Sequence, residues 1–239
     1  DPTVQAHGTG RSKILVGPDM IDRWPEWMDV LFHSVVDNGG RSCINASCIM
    51  VPAHANLIAD ALAKKLAQVK TRSLEDEGAL LAGFANPKFA QFIDDAIEHG
   101  LAADGAEDVT ARYRVGPRKV RCDGCDYLLP TVVRCSNFEH PLANTEFLFP
   151  FCSVLELPAD QFLGKIGQSL VVTAITDDAQ MIDQLMCCPL IDRLNVGPIP
   201  TSHVEWSQPH EGNLFDFLYK RRAIQLHRKS CGAGERASR

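Results

Sequence analysis

The spacing of apolar residues predicts alternating strands and helices along most of the chain. Short apolar runs typical of buried strands lie at residues 13–16, 49–51, 128–133, 153–157 and 170–175. Apolar residues recur at helical spacing in residues 29–36, 57–69, 89–99 and 178–186. Strands that alternate with helices favour an α/β fold, in which a mostly parallel sheet is flanked by helices.

Two of the predicted helices carry an apolar stripe along one side. The first stripe consists of Leu57, Ile58, Ala61, Leu62 and Leu66. The second consists of Phe89, Phe92, Ile93, Ala96 and Ile97, and this helix is expected to end at His99-Gly100. Both stripes are predicted to face the core.

The pattern changes after Asn195. Prolines and a glycine interrupt residues 194–213, which predicts irregular chain, and residues 214–226 then predict a short helix. We therefore expect one domain over residues 1–200 and an irregular extension over residues 201–239, whose basic end is interpreted as a solvated tail.

Composition narrows the possible functions. The chain has 239 residues, 45% of them hydrophobic, and a formal net charge of −6. A chain of this length and hydrophobic content can bury a substantial core. The negative net charge argues against nucleic acid as the main partner, because phosphate binding requires a basic surface. No apolar run approaches the ~20 residues of a membrane span, and the N-terminus has no signal-peptide pattern. The nine cysteines, an odd number, favour a reducing compartment, which we take to be the cytoplasm.

Cys43 is the candidate nucleophile. It follows Gly39-Gly40, which can end a helix in a tight turn, and it precedes the strand at residues 49–51. Backbone N–H groups at such a turn can lower the pKa of a thiol and can bind the oxyanion that forms when the thiolate adds to a carbonyl. A buried cysteine with a packing role is the alternative interpretation.

A zinc site is the main rival hypothesis. Cys122, Cys125, Cys135 and His140 supply four potential ligands at a plausible spacing. The apolar strand predicted at residues 128–133 lies inside this spacing and argues against a metal-closed loop. We therefore expect no metal, and a redox pair of cysteines is a further, weaker alternative.

Three motifs together resemble the aldehyde dehydrogenase superfamily. Asn38, Gly40, Cys43 and Ala46 are similar to its catalytic-cysteine motif. The segment Thr145-Glu146-Phe147-Leu148-Phe149-Pro150-Phe151 resembles its Glu-x-Phe-Gly-Pro motif, with Leu148 where Phe is usual and Phe149 where Gly is usual. The segment at residues 127–133 is similar to the family's aromatic-apolar-Pro-Thr strand. The resemblance covers roughly residues 7–200.

The resemblance implies a role for each matching residue. Cys43 would attack the aldehyde carbon, with Asn38 in the same catalytic motif, to give a thiohemiacetal and then a thioester. Glu146 and Leu148 would contact NAD or NADP, Glu146 through the ribose hydroxyls of the nicotinamide nucleoside. His7 falls where the family has a general-base glutamate, and Arg41 replaces the usual glutamine beside the nucleophile.

The resemblance also implies that the cofactor-binding half would precede Asp1, because residues 7–12 match the segment where the catalytic half begins. We therefore expect this chain alone to be inactive as a dehydrogenase and the complete enzyme to be a homo-oligomer that acts on a small aldehyde. Two alternatives remain open: an acylating relative that transfers the acyl group to coenzyme A, and a non-enzymatic module that is either a pseudoenzyme or zinc-stabilised.

Overall fold

The computed structural model describes residues 8–73 and 75–205, in which nine strands form one seven-stranded sheet and one hairpin. The strands are β1 (Ser12–Val16), β2 (Ala46–Val51), β3 (Ala106–Asp108), β4 (Lys119–Cys122), β5 (Cys125–Leu128), β6 (Thr131–Cys135), β7 (Phe151–Glu156), β8 (Ser169–Ile175) and β9 (Ile191–Val196). The α-helices are α1 (Met28–Val36), α2 (Ala55–Leu66), α3 (Pro87–Leu101), α4 (Phe162–Lys165) and α5 (Ala179–Met186).

The large sheet confirms the predicted α/β class. Its strand order is β3-β6-β7-β2-β1-β8-β9, and every pairing is parallel except that of β3 with β6. Strands β4 and β5 pair with each other in an antiparallel hairpin. The central strands β1 and β2 are buried along their whole length, which is why both were visible as continuous apolar runs.

The sheet separates two hydrophobic cores. Ile14 and Val16 of β1 point into the core that also contains the buried faces of α1 and α2. Leu15, between them, points into the opposite core, with residues of α3, α4 and α5. Successive side chains of a strand alternate between faces, so each central strand contributes to both cores.

Two helices begin at N-caps that are readable in the sequence. The Asn86 side chain accepts a hydrogen bond from the N–H of Lys88 (3.0 Å), and Pro87 occupies the first helical position of α3. The Asp178 carboxylate accepts hydrogen bonds from the N–H groups of Gln180 (2.8 Å) and Met181 (3.2 Å) at the start of α5. These caps explain why the predicted helices start where they do.

The prediction of a single strand at residues 128–133 was wrong. Leu128 ends β5 of the hairpin, and Thr131 begins β6 of the large sheet. Pro130 lies between them, and a proline has no N–H with which to continue a strand ladder. The sequence Asp123-Gly124, which forms the turn of the hairpin with φ angles of 47° and 79°, was the missed hairpin signal.

The irregular region was predicted to begin at residue 194, which is too early. Residues Ile191–Val196 form β9, which pairs in parallel with β8 at one edge of the sheet. Asp192 and Arg193 made this strand look polar, but an edge strand needs less apolar surface than a central one. Of the predicted extension, the structure describes residues 201–205; the helix predicted at residues 214–226 lies outside the described residues.

Both predicted stripes include residues that face away from the core. Leu57 is 56% exposed and Phe92 is 64% exposed, whereas Ile58, Leu62 and Ile97 are buried. The helices themselves are confirmed, because α2 and α3 occupy the predicted regions. The width of each stripe was therefore overestimated.

The parallel strands all have their amino ends on the same side of the sheet. Ser12, Ala46, Phe151 and Ser169 are the first residues of β1, β2, β7 and β8. Segments that are distant in sequence therefore meet there, and the turn that carries Cys43 leads directly into the first residue of β2.

Candidate active site

The turn that carries Cys43, which we call the Cys43 turn (residues 38–45), joins α1 to β2. Three consecutive residues, Asn38, Gly39 and Gly40, have positive φ angles of 55°, 67° and 64°. This run of left-handed backbone ends the helical course of the chain and redirects it toward β2. Cys43 itself is half-buried.

Asn45 holds the Cys43 turn together from inside. Its Oδ1 accepts a hydrogen bond from the N–H of Ser42 (3.0 Å), and its Nδ2 donates to the carbonyl oxygens of Ser34 (3.1 Å) and Asp37 (2.9 Å). The side chain thereby fixes the turn to the end of α1. Sequence reasoning missed Asn45, and an asparagine after a glycine turn is too common to have identified this role.

The start of β1 lies against the backbone of Cys43. Ser12 Oγ donates a hydrogen bond to the Cys43 carbonyl oxygen (2.8 Å) and accepts one from the N–H of Val171 (3.2 Å). A Cβ atom added at Gly10 would lie 1.9 Å from the same carbonyl oxygen, so only glycine fits there. Residues 10–12 therefore set the position of the Cys43 backbone.

The segment at residues 145–151, which resembles the Glu-x-Phe-Gly-Pro motif, packs against the other side of the turn. A Cβ added at Gly40 would lie 2.3 Å from the backbone nitrogen of Pro150 and 2.5 Å from the carbonyl carbon of Phe149. Phe149 is 2% exposed, and its ring lies 6.1 Å from that of Phe151. The packed rings of Phe149 and Phe151 thus anchor the segment that touches Gly40.

Glu146 lies near the amino ends of the parallel strands and binds the backbone of Arg11, just before β1. Its Oε2 accepts a hydrogen bond from the N–H of Arg11 at 2.5 Å. Desolvation raises the pKa of the Glu146 carboxyl, while the N–H groups of Arg11 and Gly10 and the positive charges of Arg11 and Lys13 act in the opposite direction. An ionised carboxylate has about four acceptor positions, so these N–H groups leave capacity for the hydroxyls of a ligand.

The buried Lys13 binds the backbone of Arg11, the residue that contacts Glu146. Lys13 Nζ donates hydrogen bonds to the carbonyl oxygen of Arg11 (2.7 Å) and to Ser169 Oγ (2.9 Å). Burial lowers the pKa of Lys13 to about 8, although the nearby Cys48 and Glu146 favour its charged form. Sequence reasoning treated Lys13 only as part of a strand, because a single lysine gives no signal of its burial.

The half-buried side chain of Arg41 forms part of the wall of a pocket. It donates hydrogen bonds to the carbonyl oxygens of Ala82 (2.9 Å) and Gly83 (3.0 Å) and lies 4.3 Å from the centre of the Phe84 ring. Desolvation lowers its pKa. With Phe84, Ala85, Asn86, Phe89 and Leu148, it lines a pocket of about 330 Å³.

The remaining predicted site residues are placed as follows. Asn38 is exposed, and its carbonyl oxygen accepts the N–H of Arg41 (3.3 Å). Leu148 is 42% exposed at the pocket of Arg41. His7 lies outside the described residues. The catalytic role of Asn38 and the cofactor roles of Glu146 and Leu148 remain predictions.

Cysteines in the sheet interior have a different environment from Cys43. Cys48 is completely buried, and desolvation raises its pKa to about 11. Burial likewise raises the pKa of Cys135 to about 12 and that of Cys152 well above its ordinary value. These three thiols are therefore poor nucleophiles near neutral pH.

The rival zinc arrangement does not assemble. Cys122 and Cys125 lie opposite each other in the hairpin, against the core that contains α1 and α2. Cys135 belongs to the opposite core, where its Sγ lies 3.9 Å from His140 Nδ1. Within residues 8–73 and 75–205, no three His, Cys, Asp or Glu side chains form a group that could hold a metal.

The described fold is shared with parts of solved aldehyde dehydrogenases. The lactaldehyde dehydrogenase of Escherichia coli matches with a TM-score of 0.67 and 14% identity, over 82% of this chain and 40% of that enzyme. A glyceraldehyde-3-phosphate dehydrogenase of Methanocaldococcus jannaschii, complexed with NADP, gives 0.67 and 13% over 83% and 41%. An aldehyde dehydrogenase of Bacillus cereus, in complex with NAD+, gives 0.68 and 17% over 82% and 38%.

These matches establish a partial aldehyde dehydrogenase fold, as the sequence motifs predicted. The chain spans about two-fifths of the length of the structures it matches. No protein-family model and no curated protein matches the sequence. Among the helices of the described residues, none combines the length and apolar character that crossing a bilayer requires.

Proposed function

We propose that this chain is the thiol-bearing portion of an NAD(P)-dependent aldehyde dehydrogenase, with Cys43 as the nucleophile. The observation that carries the proposal is that the start of β1 and two of the motif segments, residues 38–46 and 145–151, meet at the amino ends of the parallel strands. Gly10 touches the backbone of Cys43, Arg11 binds Glu146, and Gly40 packs against Phe149 and Pro150. The fold shared with NAD- and NADP-bound aldehyde dehydrogenases supports the same assignment.

The proposed chemistry begins at the Cys43 sulfur. The thiolate adds to the carbonyl carbon of an aldehyde, and the backbone N–H of Cys43 helps to hold the resulting oxyanion. Ser12 fixes the Cys43 carbonyl, and Asn45 fixes the adjacent peptide units, so these groups do not need to reorganise during the reaction. Removal of hydride converts the adduct to a thioester on Cys43.

Glu146 and Leu148 are proposed to hold the nicotinamide end of NAD or NADP, which supplies the hydride acceptor when bound. The Glu146 carboxylate suits this role, since its backbone partners leave acceptor positions for ribose hydroxyls. We propose that most of the cofactor is bound by a part of the enzyme outside this sequence. The 239-residue chain by itself should therefore not reduce NAD(P) at a measurable rate.

An activated ester tests the nucleophile without any cofactor. With p-nitrophenyl acetate, Cys43 should release one equivalent of p-nitrophenolate in a burst and retain the acetyl group as a thioester. Cys43→Ser should abolish the burst, whereas Cys187→Ser, which changes an exposed cysteine in another part of the fold, should keep it. Acetylation of a different cysteine, or an unchanged burst in Cys43→Ser, would refute the proposal.

The same acyl-enzyme separates the open alternatives. Release by water indicates a hydrolytic dehydrogenase, and faster release by coenzyme A indicates an acylating relative. A folded chain that is not acylated at all would favour the pseudoenzyme alternative. In a preparation that reduces NAD(P), Glu146→Gln should slow reduction while Cys43 acylation continues, which would separate the cofactor role from the nucleophile.

The proposed enzyme acts on a small aldehyde and forms a homo-oligomer in its complete form. A thiol nucleophile and an odd number of cysteines are best maintained in a reducing compartment, so we place the enzyme in the cytoplasm.

A further inference from the structure

A pair of cysteines lies in the hairpin of β4 and β5, outside the proposed catalytic site. Cys122 and Cys125 are direct partners in the antiparallel hairpin of β4 and β5, which we call the dithiol hairpin (residues 119–128). Residues directly opposite in such a pair have Cα atoms about 4.5 or 5.5 Å apart, depending on the type of pair, and both values suit a disulfide. The two side chains also lie on the same face of the hairpin.

We propose that Cys122 and Cys125 form a reversible disulfide by exchange with a small-molecule disulfide. The turn between them, Asp123-Gly124, has φ angles of 47° and 79° and already holds the two strands together. Both cysteines are half-buried at the margin of the core, so a small reagent can reach them. The Cα separation typical of directly opposite residues lies within the range that a disulfide spans.

The exchange proceeds in two balanced steps. One thiolate of the hairpin attacks a sulfur of the small disulfide, which forms a mixed disulfide and releases one small thiol. The second hairpin thiolate then attacks the protein sulfur of the mixed disulfide and releases the other small thiol. The protein loses two hydrogens, and the small disulfide is reduced to two thiols.

The bond should be labile rather than structural. A cross-link stabilises a protein mainly by closing a loop in the unfolded chain, and the gain is smallest for the shortest loops. Only Asp123 and Gly124 lie between the two cysteines. The hairpin disulfide would therefore add little to folding stability and could be reduced easily.

Contacts of the dithiol hairpin lead toward Cys43. A Cβ added at Gly83 would lie 2.9 Å from Cys125 Cβ, and the N–H of Phe84 donates to the carbonyl oxygen of Asp126 at 2.7 Å. Gly83 and Phe84 are in turn the partners of the Arg41 guanidinium. A disulfide would fix the Cys125 side chain beside Gly83, and through this contact it would affect Arg41, which lies within the Cys43 turn.

The site and its coupling to Cys43 can be tested on the intact chain with oxidised glutathione as the probe. Peptide mapping should find a Cys122–Cys125 cross-link that dithiothreitol removes. Cys122→Ser and Cys125→Ser should each retain a glutathione adduct on the remaining cysteine instead. In molecules that carry the cross-link and an unmodified Cys43 thiol, the alkylation rate of Cys43 should change by a factor of about two to thirty, as expected for coupling through packed contacts.

The double variant Cys122→Ser/Cys125→Ser should show no such rate change, whereas Cys187→Ser/Cys188→Ser should behave like the unmodified chain. Separate glutathione adducts on Cys122 and Cys125, or two thiols that persist at high oxidised glutathione, would overturn the disulfide. A cross-link that leaves the Cys43 rate unchanged would overturn the coupling to Arg41. Neither result depends on dehydrogenase activity, so the failure of this proposal and of the proposed function are distinguishable.

Discussion

The Cys43 turn and the dithiol hairpin both place cysteine beside left-handed backbone, yet different parts of the chain hold them in place. The Cys43 turn is fixed by Gly10, Ser12 and Pro150, which are distant from it in sequence. The dithiol hairpin is held by its own strand register and by Arg121, whose guanidinium donates to the carbonyl oxygen of Gly124 at 3.1 Å, and the N–H of Phe84 adds one contact from a more distant segment. The two turns therefore differ in how much of their support comes from distant segments, and the candidate catalytic site is the turn on which several such segments converge.

Substitution of one glycine in each turn should give the largest difference between the two turns, measured as loss of folding stability. Gly40 and Gly124 both have positive φ, at 64° and 79°, but a Cβ at Gly40 would meet Phe149 and Pro150 while one at Gly124 would meet nothing within 4 Å. Gly124→Ala should cost about 1 kcal/mol from backbone strain alone. Gly40→Ala adds the clash and should cost about 4 kcal/mol in the free energy of unfolding.

Urea denaturation of both variants measures these costs. Equal losses of stability would mean that the backbone of residues 149–150 moves away readily, and that the close packing seen at Gly40 is not what holds the Cys43 turn.

Replacement of Lys13 should change how the free energy of unfolding depends on pH, and this effect is of intermediate size. Burial lowers its folded-state pKa to about 8, below the unfolded value near 10.5. Between these values the folded chain has lost a proton that the unfolded chain still binds, so stability contributed by this group rises with pH. The stability of the unmodified chain relative to Lys13→Met should rise by about 1.4 kcal/mol per pH unit over this range, or about 3 kcal/mol in total.

The comparison of the two proteins at each pH removes the effects that they share. The buried thiols of Cys48, Cys135 and Cys152 have raised pKa values, so they reduce stability above about pH 9 in both proteins. Parallel curves of unfolding free energy against pH would show that Lys13 titrates like an exposed lysine.

Thiol labelling compares the two turns directly and has the smallest expected effect. At limiting iodoacetamide, Cys43 should react before Cys122 and Cys125, because it alone lies at the convergence of the motif segments. Cys48, whose pKa is about 11, should react at least about a hundredfold more slowly than an ordinary exposed thiol. Mass spectrometry of the labelled peptides gives the order of reaction.

Faster labelling of Cys122 or Cys125 than of Cys43 would reverse the comparison between the turns. The exposed Cys187 serves as an internal reference for access without any turn chemistry.

The sequence by itself determined the α/β class and the approximate positions of the main helices. It did so because buried parallel strands are continuous apolar runs and because caps such as Asn86-Pro87 and Asp178 act over a few residues. It failed where the signal was mixed: the polar edge strand β9 looked like loop, and Pro130 hid the boundary between β5 and β6. It also identified Cys43 and Glu146 as candidates through their motifs.

Only the tertiary structure decided how these candidates are held. The contacts of Gly10 with Cys43, of Gly40 with Pro150 and of Glu146 with Arg11 join residues that are far apart in the chain. Parallel pairing brings their segments together at the amino ends of the strands, and local sequence carries no record of such pairing. Burial has the same origin, which is why the chain alone could not distinguish the thiol of Cys48 from that of Cys43, nor the amine of Lys13 from an exposed lysine.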